Sequence, residues 1–283
     1  MHILSHTLHY GTGVFEGVRA YQSKDKSAIF RLDDHTKRLF NAASKISIEI
    51  PFSQEELNKA QCETLTKNNL DEGYLRPIVY LGNEGLGLRA KDLSVNVAIA
   101  AWEWPSYMDP DAKKKGISVM KSSYKQYESS LHSGNKIIGT YFSNTMALHE
   151  ALDKGADEAI MMDKNGHISE GSGENIFIVK DGAIFTPTTK HCLNGITRQS
   201  VIQIANDLGF EVVEKNLDYD DLVEADEAFF TGTAVEITPI SNLDNKPINT
   251  GKRGDITLQL QDKFHAILSG EDSKYKSWLT YTT

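Results

Sequence analysis

The sequence predicts an α/β protein of the α+β type, built as two unequal domains, and three observations lead there. Strand-like and helix-like runs alternate through the first part of the chain. A stretch rich in proline, lysine and glycine, "PSYMDPDAKKKG", then interrupts that alternation. The length of 283 residues also exceeds what one compact core usually organises. Together these place a small α/β domain at 1–103, an interdomain loop at 104–116 and a larger domain at 117–283.

The chain opens on "MHILSHTLHYG", which reads as strand-like. "GVFEGVRAYQ" and "AIFRL" read as a strand pair around the polar turn Ser23 to Ser27. Asp33 and Asp34 are placed to cap a helix, "HTKRLFNAASKI", whose Leu39, Ala42, Ala43 and Ile46 share a face. Ser53 with Glu56 forms a capping box that opens a second helix, ending near Asn69. "YLRPIVYLG" and "SVNVAIAAWEW" follow as strands. Beyond the loop come a strand, "GISVMKSSY", and a long helix, "TYFSNTMALHEALDKG", stopped by Gly155. A β-meander is expected next, turning at Lys164-Asn165-Gly166 and at Lys180-Asp181-Gly182. "GITRQSVIQIANDLG" reads as a helix ended by Gly209, and a last helix runs from Ile256 to Leu268.

Composition narrows the function. The net charge of −9 argues against a phosphate-backbone partner, since nucleic-acid binders concentrate basic charge. The longest basic run is Lys113-Lys114-Lys115, most simply a solvated loop. No apolar run reaches the roughly 18 residues of a membrane helix, and no signal peptide opens the sequence. Cys62 and Cys192 lie far apart, with no C-x-x-C or H-E-x-x-H pattern, so no metal and a reducing cytoplasm are expected. His2, His6 and His9 have no nearby acid to complete a metal set and read as structural.

The stretch "HISEGSGENIFIV" is more pointed, because Glu170 and Glu174 stand among small residues just where an apolar β-branched run begins. By itself it fits a solvated hairpin end as well as an aimed acid. Six further motifs stand in order around it: "LHYGTGVFEGVRAY", "RLDDHTKRL", "YLRP", "NKIIGTY", "LNGITR" and "TGTAVEITPI". Taken together, the sequence resembles the fold-type IV pyridoxal-phosphate enzymes, and within them the branched-chain amino acid aminotransferases. The resemblance runs from residue 2 to the C-terminus. It implies a small N-terminal α/β domain, a larger pseudo-barrel domain and a cofactor at their junction. Members usually carry a further strand before "HTLHYG", and its absence here leads us to expect an unpaired edge or an altered interface in the small domain. Many also have an alanine just ahead of the lysine, where this chain reads "SSLHSGNK".

The resemblance gives residues their expected roles. Lys136 would bind pyridoxal 5′-phosphate covalently and later move a proton; apolar Ile137 and Ile138 beside it suit a desolvated amine, although composition alone favours a surface lysine. Glu170 would hold the proton of the ring nitrogen, with Gly171 and Gly173 allowing close approach, and Tyr141 would donate to the phenolic oxygen. Arg38, the amides of Ile196 and Thr197 at a helix N-terminus, and Thr233 would hold the phosphate. Tyr74, Thr233 and Ala234 would take the substrate α-carboxylate, and Arg76 the distal carboxylate of glutamate or 2-oxoglutarate. Phe15, Tyr10, Tyr141 and Trp104 would line an apolar pocket, with Tyr107 reaching in from a partner subunit; aromatic residues can equally be core. Glu174 and Arg19 keep no assigned role. The expected activity is reversible transamination between leucine, isoleucine or valine and 2-oxoglutarate. The expected enzyme is a cytoplasmic homodimer, or an assembly of dimers, acting on small molecules. D-amino acid aminotransferase and 4-amino-4-deoxychorismate lyase are the rivals within the fold, and "YGTGVFEG" with "YLRP" argues against both. A non-catalytic binding protein on the same scaffold is the rival of another class.

Overall fold

The computed structural model describes residues 1–24, 26–104, 111–127 and 134–282. The chain forms two compact units. Unit 1 is Met1–Pro105, Asn135–Tyr141 and Ala266–Thr283, and unit 2 is Ser106–Gly134 and Phe142–His265. A division read along the chain does not foresee the two later segments of unit 1. They belong there because backbone pairing holds them: Ile137 bridges Val14, and the C-terminal strand Leu279–Tyr281 pairs with Lys26–Phe30.

Unit 1 begins with α1 (His6–Tyr10), followed by β1 (Gly13–Phe15), β2 (Val18–Ser23), β3 (Lys26–Phe30), α2 (Leu32–Lys45), α3 (Gln54–Lys67), β4 (Gly73–Leu81) and β5 (Val95–Trp102). The opening segment is thus helical rather than extended. Gly11 closes it at φ +65°, and a Cβ there would lie 2.5 Å from the Gly139 Cα. The cap of α2 also differs from expectation. Arg31 occupies it in a left-handed conformation, while Asp33 and Asp34 sit in the first turn, where the helix dipole favours acids. The Ser53–Glu56 capping box opens α3.

β1 and β2 run along β4 in a single register, with Phe15 opposite Ile78 and Val18 opposite Leu75. The ladder breaks at Glu16-Gly17 because Pro77 has no N–H to give; the Glu16 N–H still donates to the Pro77 carbonyl at 2.9 Å. Side-chain alternation sends Val14, Glu16, Val18 and Ala20 to one face of the sheet. Leu39, Ala42 and Leu57 cover Val14 there, and Leu65 packs with Val18 and Ala20. An acid therefore sits in an apolar row.

Unit 2 contains α4 (Ala112–Lys115), β6 (Ile117–Lys125), most of α5 (Tyr141–Asp153), β7 (Glu158–Met162), β8 (Ile168–Glu170), β9 (Asn175–Lys180), β10 (Ala183–Thr186), α6 (Ile196–Asp207), β11 (Val212–Glu214), α7 (Tyr219–Val223), β12 (Glu227–Gly232), β13 (Glu236–Leu243), β14 (Lys246–Pro247) and most of α8 (Asp255–Leu268). The strand order is β11-β10-β9-β12-β13-β6-β7-β8, with β14 on β13. Consecutive β8 and β9 therefore stand five places apart in that order. A flat sheet would separate them by about 24 Å, whereas even a fully extended chain from Glu170 to Asn175 spans only about 18 Å. The actual link is a tight turn, the Gly171 N–H donating to the Glu174 carbonyl at 2.7 Å. The sheet must curl into a half-barrel. This corrects the expected meander: β7 pairs with β8 and β9 with β10, but β9 turns to β12 instead of β8. Glu170 ends β8 at that seam.

Candidate active site

In unit 1 the Lys136 amine donates to the Tyr141 hydroxyl at 2.5 Å and lies 4.8 Å from the ring centres of Phe15 and Tyr141. A 3-10 turn, Ile138–Thr140, brings the two residues together, and the close approach of Gly11 to Gly139 seats that turn. Burial, and after it the positive charge of Arg38, lowers the Lys136 pKa from its ordinary value. A lysine in this setting is closer to a usable nucleophile than a solvated one.

Phe15, Tyr74 and Arg76 share the sheet face opposite Glu16. The Arg76 guanidinium lies 4.8 Å from the Phe15 ring centre and 5.4 Å from that of Tyr74, and Nη2 donates to the Tyr74 hydroxyl at 3.4 Å. The Arg76 Nε is buried and has no hydrogen-bond partner among the described residues. Trp104 stacks on Tyr74 with centroids 4.5 Å apart, and Trp102 packs on it at 5.2 Å. Gly17 makes room for Tyr74, since a Cβ there would lie 1.8 Å from the hydroxyl oxygen. Neither Gly17 nor Trp102 was assigned from sequence. Tyr10 is 40% exposed and its hydroxyl accepts the Gly87 N–H at 3.0 Å. Arg19 packs over Tyr21 at 4.9 Å, and Tyr107 lies outside the described residues.

Arg38 belongs to a buried group that sequence reasoning did not assemble. Its Nε donates to Glu16 Oε1 at 2.6 Å and its Nη2 to Oε2 at 2.9 Å, while His35 Nδ1 meets Oε2 at 2.8 Å. Burial opposes the Glu16 charge, but Arg38 and His35 outweigh it and hold the carboxyl well below the usual carboxylate range. Burial lowers the His35 pKa, and Nδ1 carries the proton given to Glu16, since an ionised carboxylate only accepts. The signal was present, because an acid in the Val14–Ala20 row needs a partner, and His35 and Arg38 stand one turn apart on the facing helix. Replacing Glu16 by Gln should destabilise the protein by about 3–5 kcal/mol, since Arg38 would be left buried without its counter-charge. Because the folded pKa is depressed, this contribution is present above about pH 4 and fades only in acid. Calorimetry from pH 4 to 8 should find the deficit of Glu16→Gln constant above pH 6 and smaller toward pH 4.

In unit 2 Glu170 is 6% exposed, and N–H donors surround it. Gln126 Nε2 donates to Oε1, while the Leu193 N–H donates to Oε2 at 3.1 Å and Asn175 Nδ2 at 3.4 Å. Those donors fix the direction of the carboxylate. Asn175 also reaches the Leu193 carbonyl at 2.7 Å and tethers the segment leading to α6. Gly195 caps α6 without any side-chain cap, and a Cβ there would meet Asn175 Oδ1 at 2.1 Å. The amides of Ile196 and Thr197 therefore form an uncapped helix N-terminus, a ready anion site. Thr233 and Ala234 lie in the turn between β12 and β13, next to Gly173 and Glu174 through Gly232. Gly171 and Gly173 differ in their reasons. A Cβ on Gly171 would press on Glu174 Oε2 at 2.9 Å and on Phe230 at 3.0 Å, whereas one on Gly173 meets nothing within 4 Å among the described residues. Gln126 and Asn175 were missed from sequence; Asn175 at least follows the acid motif directly, whereas nothing local marks Gln126.

Each unit by itself offers donors that suit pyridoxal 5′-phosphate: unit 1 an amine of lowered basicity beside a phenol, and unit 2 a buried carboxylate held by N–H groups and a helix N-terminus free of side-chain caps. Among the described residues no cluster suits a metal ion, and no helix is long and apolar enough to cross a membrane.

Comparison with known proteins agrees. A branched-chain-amino-acid aminotransferase from Pseudomonas aeruginosa is 48% identical over 280 residues, covering 99% of this chain and 91% of the relative. The crystal structure of the Escherichia coli branched-chain amino acid aminotransferase superposes with a TM-score of 0.97 at 38% identity, covering 100% of this chain and 94% of that one. The branched-chain amino acid aminotransferase from Thermobaculum terrenum, solved in its PLP-form, superposes with a TM-score of 0.92 at 30% identity, covering 100% and 93%. The family model for amino-transferase class IV matches residues 13–243, and with fold, donor set and relatives in accord, the chain belongs to the class IV amino-transferases.

Proposed function

We propose that this chain catalyses the reversible transamination of leucine, isoleucine and valine with 2-oxoglutarate, giving branched 2-oxo acids and L-glutamate. The observation that carries the reading is the Lys136–Tyr141 pair, an amine of lowered pKa held at 2.5 Å from a phenol among aromatic rings. When bound, pyridoxal 5′-phosphate supplies the aldehyde that accepts the amino group and the ring that takes up electron density. Lys136 is the covalent attachment point and moves the reacting proton; Tyr141 orients it. Glu170 holds a proton at the ring nitrogen. Arg38, the Ile196 and Thr197 amides and Thr233 hold the phosphate, and Glu16 keeps Arg38 in place. Tyr74 and the Thr233–Ala234 backbone orient the substrate α-carboxylate.

One pocket must accept an aliphatic side chain and a carboxylate in turn. Burying an unpaired carboxylate would cost several kcal/mol, so a cation has to be available that also tolerates leucine. Arg76 meets both demands, because the Phe15 and Tyr74 rings and the Tyr74 hydroxyl accommodate it without a carboxylate, while its Nε keeps an unused donor. The enzyme acts as a homodimer, or an assembly of dimers, in the cytoplasm. Exposed Ile3, Leu8, Leu86 and Leu88 in unit 1 support association.

A coupled assay with each branched amino acid plus 2-oxoglutarate tests the activity directly, and turnover of none of the three would refute it. For Arg76→Ala, half-reactions should show glutamate weakened by about 2–5 kcal/mol, or roughly 30- to several-thousand-fold in specificity constant, with leucine much less affected. Equal losses would mean that Arg76 supports the structure only.

A further inference from the structure

Two buried acids of unit 2 have no part in this reading. Glu158 opens β7 fully buried, and Glu174 is 5% exposed at the end of the turn after Glu170. Strand alternation puts Glu158 on the face of Ile160 and Met162, which pack into the half-barrel core with Val119 and Phe230. The two carboxyl groups lie within hydrogen-bonding reach of each other.

Their oxygens are otherwise used to hold the turn. Glu158 Oε1 accepts the Ala159 N–H at 2.7 Å and the Ser172 N–H at 3.2 Å. Glu174 Oε2 accepts the Gly173 N–H at 3.0 Å. From α5, Asn144 Nδ2 donates to the Ser172 carbonyl at 2.7 Å. What remains is Glu158 Oε2, buried with no donor among the described residues. Among the described residues, the other ionisable group acting on the pair is Glu170 across the turn. β6 presents apolar Val119, and α5 presents the amide of Asn144. Two adjacent carboxylates in such a core cannot both stay charged.

We infer that Glu158 and Glu174 share one proton, Glu174 donating to Glu158 Oε2, and that the pair serves as a positioning device for Glu170. The clasp ties the turn from Gly171 to Glu174 onto β7, which fixes the end of β8 where Glu170 projects. It also spares Glu170 a second negative charge at the seam. The acids stand 16 residues apart, on either side of the turn they close. Burial pushes both pKa values up, and for Glu174 the neighbouring Glu158 charge adds to it.

The positioning role rests on the ring-nitrogen reading of Glu170, but the shared proton does not, and its test needs no substrate. Infrared spectra of the purified protein at neutral pH should show a carboxylic-acid C=O band that disappears in both Glu174→Gln and Glu158→Gln. Either amide can complete the clasp with the remaining carboxylate and no proton. Thermal melts give a second readout. With raised folded pKa values, the pair's stability contribution is present below about pH 4 and lost progressively as pH rises. Glu174→Gln should therefore gain on the wild type from pH 5 to pH 9, by about 2–4 °C or more. Absence of the acid band in the wild type, its survival in both variants, or a pH-independent difference in melting would overturn the shared proton. For positioning, Glu174→Gln should keep kcat within about threefold and Glu174→Ala should lower it roughly tenfold or more, with KM for leucine little changed. A fully active Glu174→Ala would overturn that role. If instead Glu170 itself proved dispensable, the ring-nitrogen reading would fail while the infrared and melting results stood.

Discussion

Lys136→Ala should abolish steady-state transamination while leaving the melting temperature unchanged or slightly higher. Proton transfer by a positioned side chain is worth roughly 10²–10⁴-fold, and on the proposed reading this residue is also the covalent attachment point, so the loss should reach at least the upper part of that range. The stability expectation follows from the lowered pKa. Burial and the Arg38 charge both disfavour the charged amine, so removing it relieves an unfavourable charge. Lys136→Arg, which keeps a cation but cannot serve as the nucleophile, should be equally inactive. Borohydride reduction of the wild-type holoenzyme followed by peptide mapping should place the pyridoxyl group on Lys136. A label on another lysine, or appreciable turnover by Lys136→Ala, would remove the residue from its role.

Glu170→Gln should lower turnover by orders of magnitude. Gln keeps the size of the side chain, and its carbonyl can still accept from Leu193 or Gln126, so the turn should hold. The negative charge proposed to stabilise a protonated ring nitrogen is lost. Removing one preorganised electrostatic partner of this kind typically costs about 10²–10³-fold in turnover. Single-turnover absorbance with leucine alone should show the loss in the rate of amino-group transfer, with cofactor attachment to Lys136 intact by peptide mapping. A near-normal rate would show that the carboxylate faces something other than the ring. Gln126→Leu is a milder form of the same experiment. It removes the Oε1 donor but leaves the charge, so its loss should fall between those of the wild type and Glu170→Gln.

Much of the fold is legible in short windows of the sequence, where periodicity separates helix from strand. The Ser53–Glu56 box marks the start of α3, and the glycines at 155 and 209 stand just beyond the ends of α5 and α6 with positive φ. The misread pieces share a cause. The opening segment has strand-like composition, yet the start of α1 is held from afar, the Ser5 hydroxyl donating to the Leu81 carbonyl at 2.6 Å and the His6 N–H to the Gly82 carbonyl at 2.8 Å. The α2 cap passed from the two aspartates to Arg31, whose N–H donates to the Trp278 carbonyl at 2.6 Å. In both places a contact distant in sequence outweighed a local preference.

The available chemistry can be read from the chain alone: an amine five residues before a tyrosine, an acid in a glycine-flanked turn, a guanidinium in "YLRP", and their order along the chain. These are matters of residue type and short spacing, which local propensity and motif express directly. Which buried polar groups meet depends on the folded arrangement. Glu16 finds Arg38 across 22 residues, Gln126 finds Glu170 across 44, and Glu158 finds Glu174 across a turn that exists because the sheet curls. A buried charge is tolerable only beside its partner, and partners are chosen by how strands and helices pack, which no short window of sequence encodes.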